Sequence, residues 1–307
     1  MICNVDTTLL TLLPRIRRAR GYRLYTPDGR RLIDCYQDAG RAILGHRAAG
    51  LIRDTKAVIE RGCLVPLPSP EAHRARQAIV RLLAACDIRV EEAQVGLYAT
   101  RVDADAALAG AGLAVAGRSP VARDLADPDL PADAGPVVVW RPFVRDRDAI
   151  AGRCDAIVPT VPCPSFFSVV PVVFSGRSAP DGALLPEAIL RALASSATAL
   201  VRALGDAPSG PDDAPSGPDD ARLHPPDLAG FRAVGPYLWP VATPAERDRP
   251  DWYRNRFESF LRAGIVISPD VRCPSIVPGE LSDGERKLLE RAAGEAASSD
   301  EAAEEEG

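Results

Sequence analysis

Residues 21–46 read GYRLYTPDGRRLIDCYQDAGRAILGH. Two short runs, 22–25 and 31–36, have the composition of strands. Asp28-Gly29 in the intervening TPDG supplies a tight turn, because glycine tolerates positive φ. Working outward, residues 1–20, MICNVDTTLLTLLPRIRRAR, read as an amphipathic helix ending in a basic cluster. Residues 47–61, RAAGLIRDTKAVIER, space their apolar side chains as a helix does. Ser69-Pro70-Glu71 opens a further helix, with Ser69 as cap and Pro70 in the first turn, running to about Cys86.

Five short apolar runs follow, AQVGLYA, LAVAG, PVVVWRP, DAIVPTV and VVPVVFS, separated by helical or loop segments. Strands alternating with helices imply an α/β fold with a mainly parallel sheet. PTVPCPSFF and the chain's 29 prolines point to loops in that region. Residues 184–204, LLPEAILRALASSATALVRAL, read as a long helix. DAPSGPD then occurs twice in tandem, at 206–212 and 213–219, with no apolar residue larger than Ala and Pro. Such a segment buries no core, so 205–226 reads as a linker or surface loop. Beyond it come GFRAVGPYLWPV as strand or loop, PDWYRNRFESFLRAG as a helix closed by Gly264, and IVIS as a short strand. The last helix, ELSDGERKLLERAAGE, starts with a capping box of Ser282 and Glu285.

Bulk composition limits function. Hydrophobic content of 46% and charged content of 26% are those of a soluble globular protein, and no continuous apolar run approaches a membrane span. No signal peptide is read at the N-terminus. The stretch 295–307, EAASSDEAAEEEG, holds six acids and no base; removing those six from a net −5 leaves the body at +1. The body thus has no broad basic field for nucleic acid, and 295–307 reads as an acidic disordered tail. The seven cysteines form no C-x-x-C pair, and the three histidines are scattered, so no metal site is expected. Unpatterned cysteines fit reduced thiols in a cytoplasm. Arginine outnumbers lysine 35 to 2, which a genome rich in G and C explains, but arginine offers no free amine for covalent chemistry.

Gly21, Leu24, Tyr25, Asp28, Gly29, Arg30, Leu32, Ile33, Asp34, Gly40, Leu44, Gly45 and His46 fall in the order of one known opening motif. By them the segment resembles the N-terminal part of class-III aminotransferases and the related glutamate-1-semialdehyde aminomutases. Thr26 stands where that family has its first Asp. FESFLRAGIVISP and the capped final helix resemble the family's C-terminal small-domain segment. The resemblance is good over 20–85, fair over 231–292 and poor between. It implies a fold type I architecture for pyridoxal phosphate: a large α/β domain, a small α+β domain made from both chain ends, and a homodimer. On that basis 1–65 is the N-terminal part of the small domain, and 66–204 is a reduced large domain. Residues 205–230 are the linker, 231–294 complete the small domain, and 295–307 form the tail.

The family mechanism needs a lysine amine that bonds the cofactor, an aspartate at its ring nitrogen, and a phosphate cradle at a helix N-terminus. Lys56 lies on the first helix and Lys287 on the last, and the region where the family carries its lysine has none. Thr100 and the amides near Val102 and Asp103 are the candidate cofactor cradle, although Asp103 and Asp105 put negative charge there and equally serve as first-turn acids. The ring-nitrogen aspartate should end a mid-domain strand; Asp155 begins one instead, Asp148 is no better placed, and both read as ordinary loop acids, while Arg272 is the candidate for a substrate carboxylate. His46 is read as structural, and Tyr36, Tyr98, Trp140 and Tyr237 as packing residues. No residue is assigned a catalytic role. The expectation is a class-III aminotransferase-like protein, inactive or altered, acting as a binding or partner subunit, as a homodimer or paired with an aminotransferase-like paralogue. Two alternatives stand beside it. One is an active enzyme that holds pyridoxal phosphate non-covalently or uses a partner's lysine; the other is a product with no selected activity.

Overall fold

The computed structural model describes residues 5–47, 50–62, 64–113, 122–131, 133, 135–205, 225–242 and 251–305. The tandem repeat and all of LAVAG after Leu113 lie outside these residues. In chain order, β1 is Arg18–Arg20, β2 Arg23–Tyr25, β3 Arg31–Asp34, α1 Leu51–Glu60, α2 Pro70–Ala84 and β4 Val95–Tyr98. Then come α3 Arg101–Gly110, β5 Arg123–Asp124, β6 Val137–Trp140, α4 Asp148–Ala151, β7 Ala156–Pro159, β8 Val170–Phe174 and α5 Glu187–Gly205. The chain continues with β9 Phe231–Val234, β10 Tyr237–Pro240, α6 Trp252–Arg262, β11 Ile265–Val266, β12 Ser275–Ile276 and α7 Asp283–Glu305. Of the described residues, those in Gly40–Ala214 form one compact unit; those in Val5–Ala39 and Pro215–Gly307 form the other.

In the second unit the opening motif forms an antiparallel hairpin. Leu24 faces Leu32, and the turn closes with Thr26 and Arg30 bonded at 3.1 Å and Gly29 at φ 86°. The strand expected to reach residue 36 stops at Asp34. There the Asp34 carboxylate accepts the amides of Tyr36 (2.9 Å) and Gln37 (3.0 Å) and turns the chain. Gln37, Asp38 and Ala39 all take left-handed φ, 48°, 50° and 56°, a run that L-residues adopt only under constraint. The buried Gln37 amide supplies part of that constraint by donating to the Ile276 carbonyl at 3.0 Å. On its other edge β3 pairs in parallel with β11, Ile33 against Ile265. Around these strands Phe257, Phe260, Ile265, Val277 and Leu289 close a core with Ile33 and Cys35. Gly264 ends α6 at φ 86°, as its position in the sequence predicts.

Two sequence expectations for this unit are corrected. The helix expected over 1–20 is absent from its described part, 5–20: Thr8–Leu12 makes a short 3-10 turn, and Arg18–Arg20 is a strand paired with β2. Pro14, with no N–H to donate, falls just after the turn and the chain is extended beyond it. The stretch 295–307, expected to be disordered, is helical as far as Glu305. Its alanines and glutamates are strong helix formers extending a helix already nucleated by the Ser282–Glu285 cap.

In the first unit the sheet order is β4-β8-β7-β6-β5. It is mixed, not mainly parallel: β5/β6 and β6/β7 are parallel, β7/β8 and β8/β4 antiparallel. The reason lies in residues 160–169, TVPCPSFFSV through Val169, whose prolines allow no crossover helix; without one, β8 returns antiparallel to β7. Trp140 and Tyr98 are buried, as read from the sequence; the Trp140 indole N–H donates to Asp148 at 2.8 Å. Tyr98 donates to the Pro180 carbonyl at 3.0 Å, and burial pushes its phenol up to about 12. By length and composition α5 could cross a membrane, but its apolar face packs on α1 and α2.

Burial alone would raise the pKa of Glu285. The Arg23 guanidinium (2.6 Å) and the Ser282 amide and hydroxyl outweigh that and bring it to about 2. A depressed carboxylate stabilises fully above its ordinary value of 4.5, and the contribution fades as pH falls toward about 2. Glu285→Gln should therefore cost about 2 kcal/mol at pH 7 and flatten the loss of stability between those values, read by urea unfolding at each pH. Ala39→Gly relieves one left-handed residue and should raise stability by about 0.5–1 kcal/mol in the same assay.

Candidate functional site

Thr100 is the N-cap of α3, and its hydroxyl accepts the Asp103 amide at 3.1 Å. The Asp103 carboxylate in turn accepts the Thr100 amide (3.0 Å) and hydroxyl (2.7 Å), a reciprocal capping box. Arg101 pairs with Asp105 one turn on, at 3.3 Å. Both candidate cradle residues are thus engaged with each other. Arg272 lies in the loop after β11, where its Nε and Nη2 form a fork on Asp270 at 3.0 and 2.8 Å. Asp270 also accepts the Asp6 amide at 2.8 Å. Burial would raise the Asp270 pKa, but Arg272 and these amides hold it below the usual carboxylate range. Thr100 and Asp103 belong to the first unit and Arg272 to the second. Asp155 precedes β7 and its carbonyl accepts the Ser175 amide; Asp148 receives the Trp140 indole. Lys56 is exposed on α1 and pairs with Glu60 at 3.6 Å, and Lys287 is exposed on α7.

The side chains that do converge lie elsewhere in the first unit. A cleft of about 370 Å³ is lined by α1, α2 and α5. α5 contributes Arg191, Ser195, Thr198 and Arg202, which recur every three or four residues and so share one face. α2 contributes Arg74, Ala78 and Arg81 by the same spacing, and the start of α1 brings Gly50, Arg53 and Asp54. Gly50 has φ 86°, a conformation that favours glycine, and a Cβ there would sit in ordinary contact with Ser195 Oγ at 3.5 Å and Asp54 Oδ2 at 3.6 Å.

Two carboxylates organise the cleft. Glu71, at 1% exposure, is gripped by Arg74 one turn along and by Arg191 across the helix pair at 3.3 Å. Asp54 accepts the Ser195 hydroxyl at 2.8 Å and Arg53 Nε at 3.0 Å. Burial works against its charge, yet these two bonds leave its pKa below the ordinary value. Arg81 donates its Nε–H to the Gln77 carbonyl at 3.2 Å. Among the described residues, neither Arg81 nor Arg202 has a carboxylate within ion-pair distance. The cleft thus offers guanidinium forks in excess of its acids, suited to binding anions. Sequence reasoning missed it by attributing the arginines to composition; the signal was their helical spacing at 74 and 81 and at 191 and 202.

No family model matches the chain. A 75-residue stretch is 39% identical to an uncharacterized protein of Treponema pallidum, covering 24% of each chain. Another, of 64 residues, is 44% identical to an uncharacterized protein of Borreliella burgdorferi. The matched stretch spans about a quarter of the length of either relative. Solved structures align over nearly the whole chain. An omega-transaminase from Sphaerobacter thermophilus does so with TM-score 0.60 and 12% identity, over 93% of this chain and 91% of that one. Ornithine delta-aminotransferase from Plasmodium falciparum gives 0.61 and 10%, over 92% of both. A transaminase with PLP bound gives 0.54 and 13%, over 94% and 92%. At such identities the likeness is one of fold.

Replacing both Arg74 and Arg191 by Ala should leave the Glu71 carboxylate buried and unpaired, lowering stability by about 3 kcal/mol in urea unfolding. Adding Glu71→Gln to that double variant should restore much of the loss.

Proposed function

We propose that this aminotransferase-fold chain anchors no pyridoxal phosphate through a lysine of its own, and that it acts as a binding or partner subunit. The observation behind this reading is the placement of its lysines. There are two in the whole chain, and both stand in open solvent on helix surfaces. Covalent capture of an aldehyde cofactor calls for an amine within an enclosed site, and arginine cannot replace it. The N-terminus of α3 gives further support: Thr100 and Asp103 are occupied with each other, and the Asp103 carboxylate there opposes a phosphate. The residues present do not fit the cofactor, and no reaction step is assigned to it. The subunit would pair with a second copy or with an aminotransferase-like paralogue in the cytoplasm. The alternative, an enzyme holding pyridoxal phosphate non-covalently or borrowing a partner's lysine, draws on the fold's likeness to a transaminase with PLP bound.

The test is to incubate the purified full chain with pyridoxal phosphate, record absorbance near roughly 400 nm, and reduce with borohydride before peptide mass spectrometry. The expected result is no adduct on Lys56 or Lys287 and no consumption of an amino donor by the chain alone. A stoichiometric adduct on either lysine would refute the reading. A bound but non-reducible cofactor with turnover would favour the alternative.

A further inference from the structure

We propose that the arginine-lined cleft of α1, α2 and α5 is a binding site for a small molecule carrying a linear di- or triphosphate. This inference is independent of the reading above, since it uses no residue of the capping box at α3 and neither lysine.

Charge is the first ground. Arg53, Arg74, Arg81, Arg191 and Arg202 face two carboxylates, Asp54 and Glu71. Arg53, Arg74 and Arg191 have acidic partners, and Glu71 is shared by two of them. The remaining cationic character belongs to Arg81 and Arg202, one on each wall. A singly charged ligand would leave most of this excess uncompensated, whereas a triphosphate matches it. Shape is the second ground. Arg74 and Arg81 are two helical turns apart, roughly 10 Å along α2, and Arg191 and Arg202 are three turns apart, roughly 16 Å along α5. The guanidiniums therefore form two lines, which suit an extended chain of phosphoryl groups better than a compact tricarboxylate. The third ground is the lining between them. Ala78, Ala194, Ala199 and Gly50 line it with small side chains or none, and about 370 Å³ is small-molecule size. Planar forks meet phosphate oxygens two at a time, which makes arginine the fitting residue here.

The experiment is calorimetric titration of the full chain with inorganic tripolyphosphate, ATP and citrate at low salt. The expected result is one site for tripolyphosphate or ATP, with citrate at least about tenfold weaker. Preference for ATP would assign a nucleotide source; preference for tripolyphosphate would assign an inorganic chain. Arg81→Ala/Arg202→Ala should weaken binding at least about tenfold, and Arg81→Gln/Arg202→Gln, which keeps side-chain bulk, should do the same. Both arginines are exposed, so the melting temperature should hold. Arg89→Ala/Arg153→Ala removes the same charge from exposed positions of the same unit outside the cleft, and should change affinity less than about twofold. Absence of binding, equal affinity for citrate, or an equal loss in the Arg89/Arg153 variant would each overturn the proposal.

Discussion

The carboxylate of Glu71 sits at the first turn of α2 almost out of reach of water. An ion in that position must be matched by opposite charge, and two guanidiniums from two helices do so. The match joins α2 to α5 and fixes which faces of these helices turn toward each other. Asp54 and Ser195 make the corresponding link from α1 to α5. Once those faces are set, helical periodicity carries Arg81 and Arg202 to the same side, with no acid within ion-pair distance of either among the described residues. The cleft's electrostatics are thus a by-product of how a buried acid orders three helices.

The local chemistry of turns and caps was the legible part of the sequence. Asp28-Gly29, Ser69-Pro70, Gly264 and Ser282 with Glu285 each act through atoms within a few residues, and each lies where the sequence predicts. Strand direction was not legible to the same degree. VVPVVFS reads identically whether β8 runs with or against its neighbours; only the missing crossover between β7 and β8 decides. The first 20 residues misled because an apolar rhythm suggests a helix, while the available partner for Arg18–Arg20 was the edge of β2. The cleft was hidden for a related reason. Arg74 and Arg191 are 117 positions apart, and nothing local marks them as neighbours across a helix pair.

The chain's backbone aligns over most of its length with transaminases at about a tenth identity, a likeness of fold, while Thr100 and Asp103 form a capping box and Lys56 pairs with Glu60. Thr100 bonds Asp103, and Arg272 bonds Asp270, each within a few residues. Side chains so engaged stabilise loops and helix ends. A backbone framework held by apolar burial tolerates exchanges of surface side chains, so the fold by itself assigns no activity.

The parallel pairing of β3 with β11 joins residues more than 230 positions apart. During synthesis on a ribosome, the amino-terminal hairpin emerges long before its partner strand exists. The intervening residues of the first unit can condense meanwhile, since their sheet and helices are drawn from one continuous stretch. The hairpin must wait with an open edge, accessible to other nascent chains, until Ile265 and Val266 have emerged. Arg31 at the start of β3 is exposed, and charge beside such an edge is the usual guard against premature association.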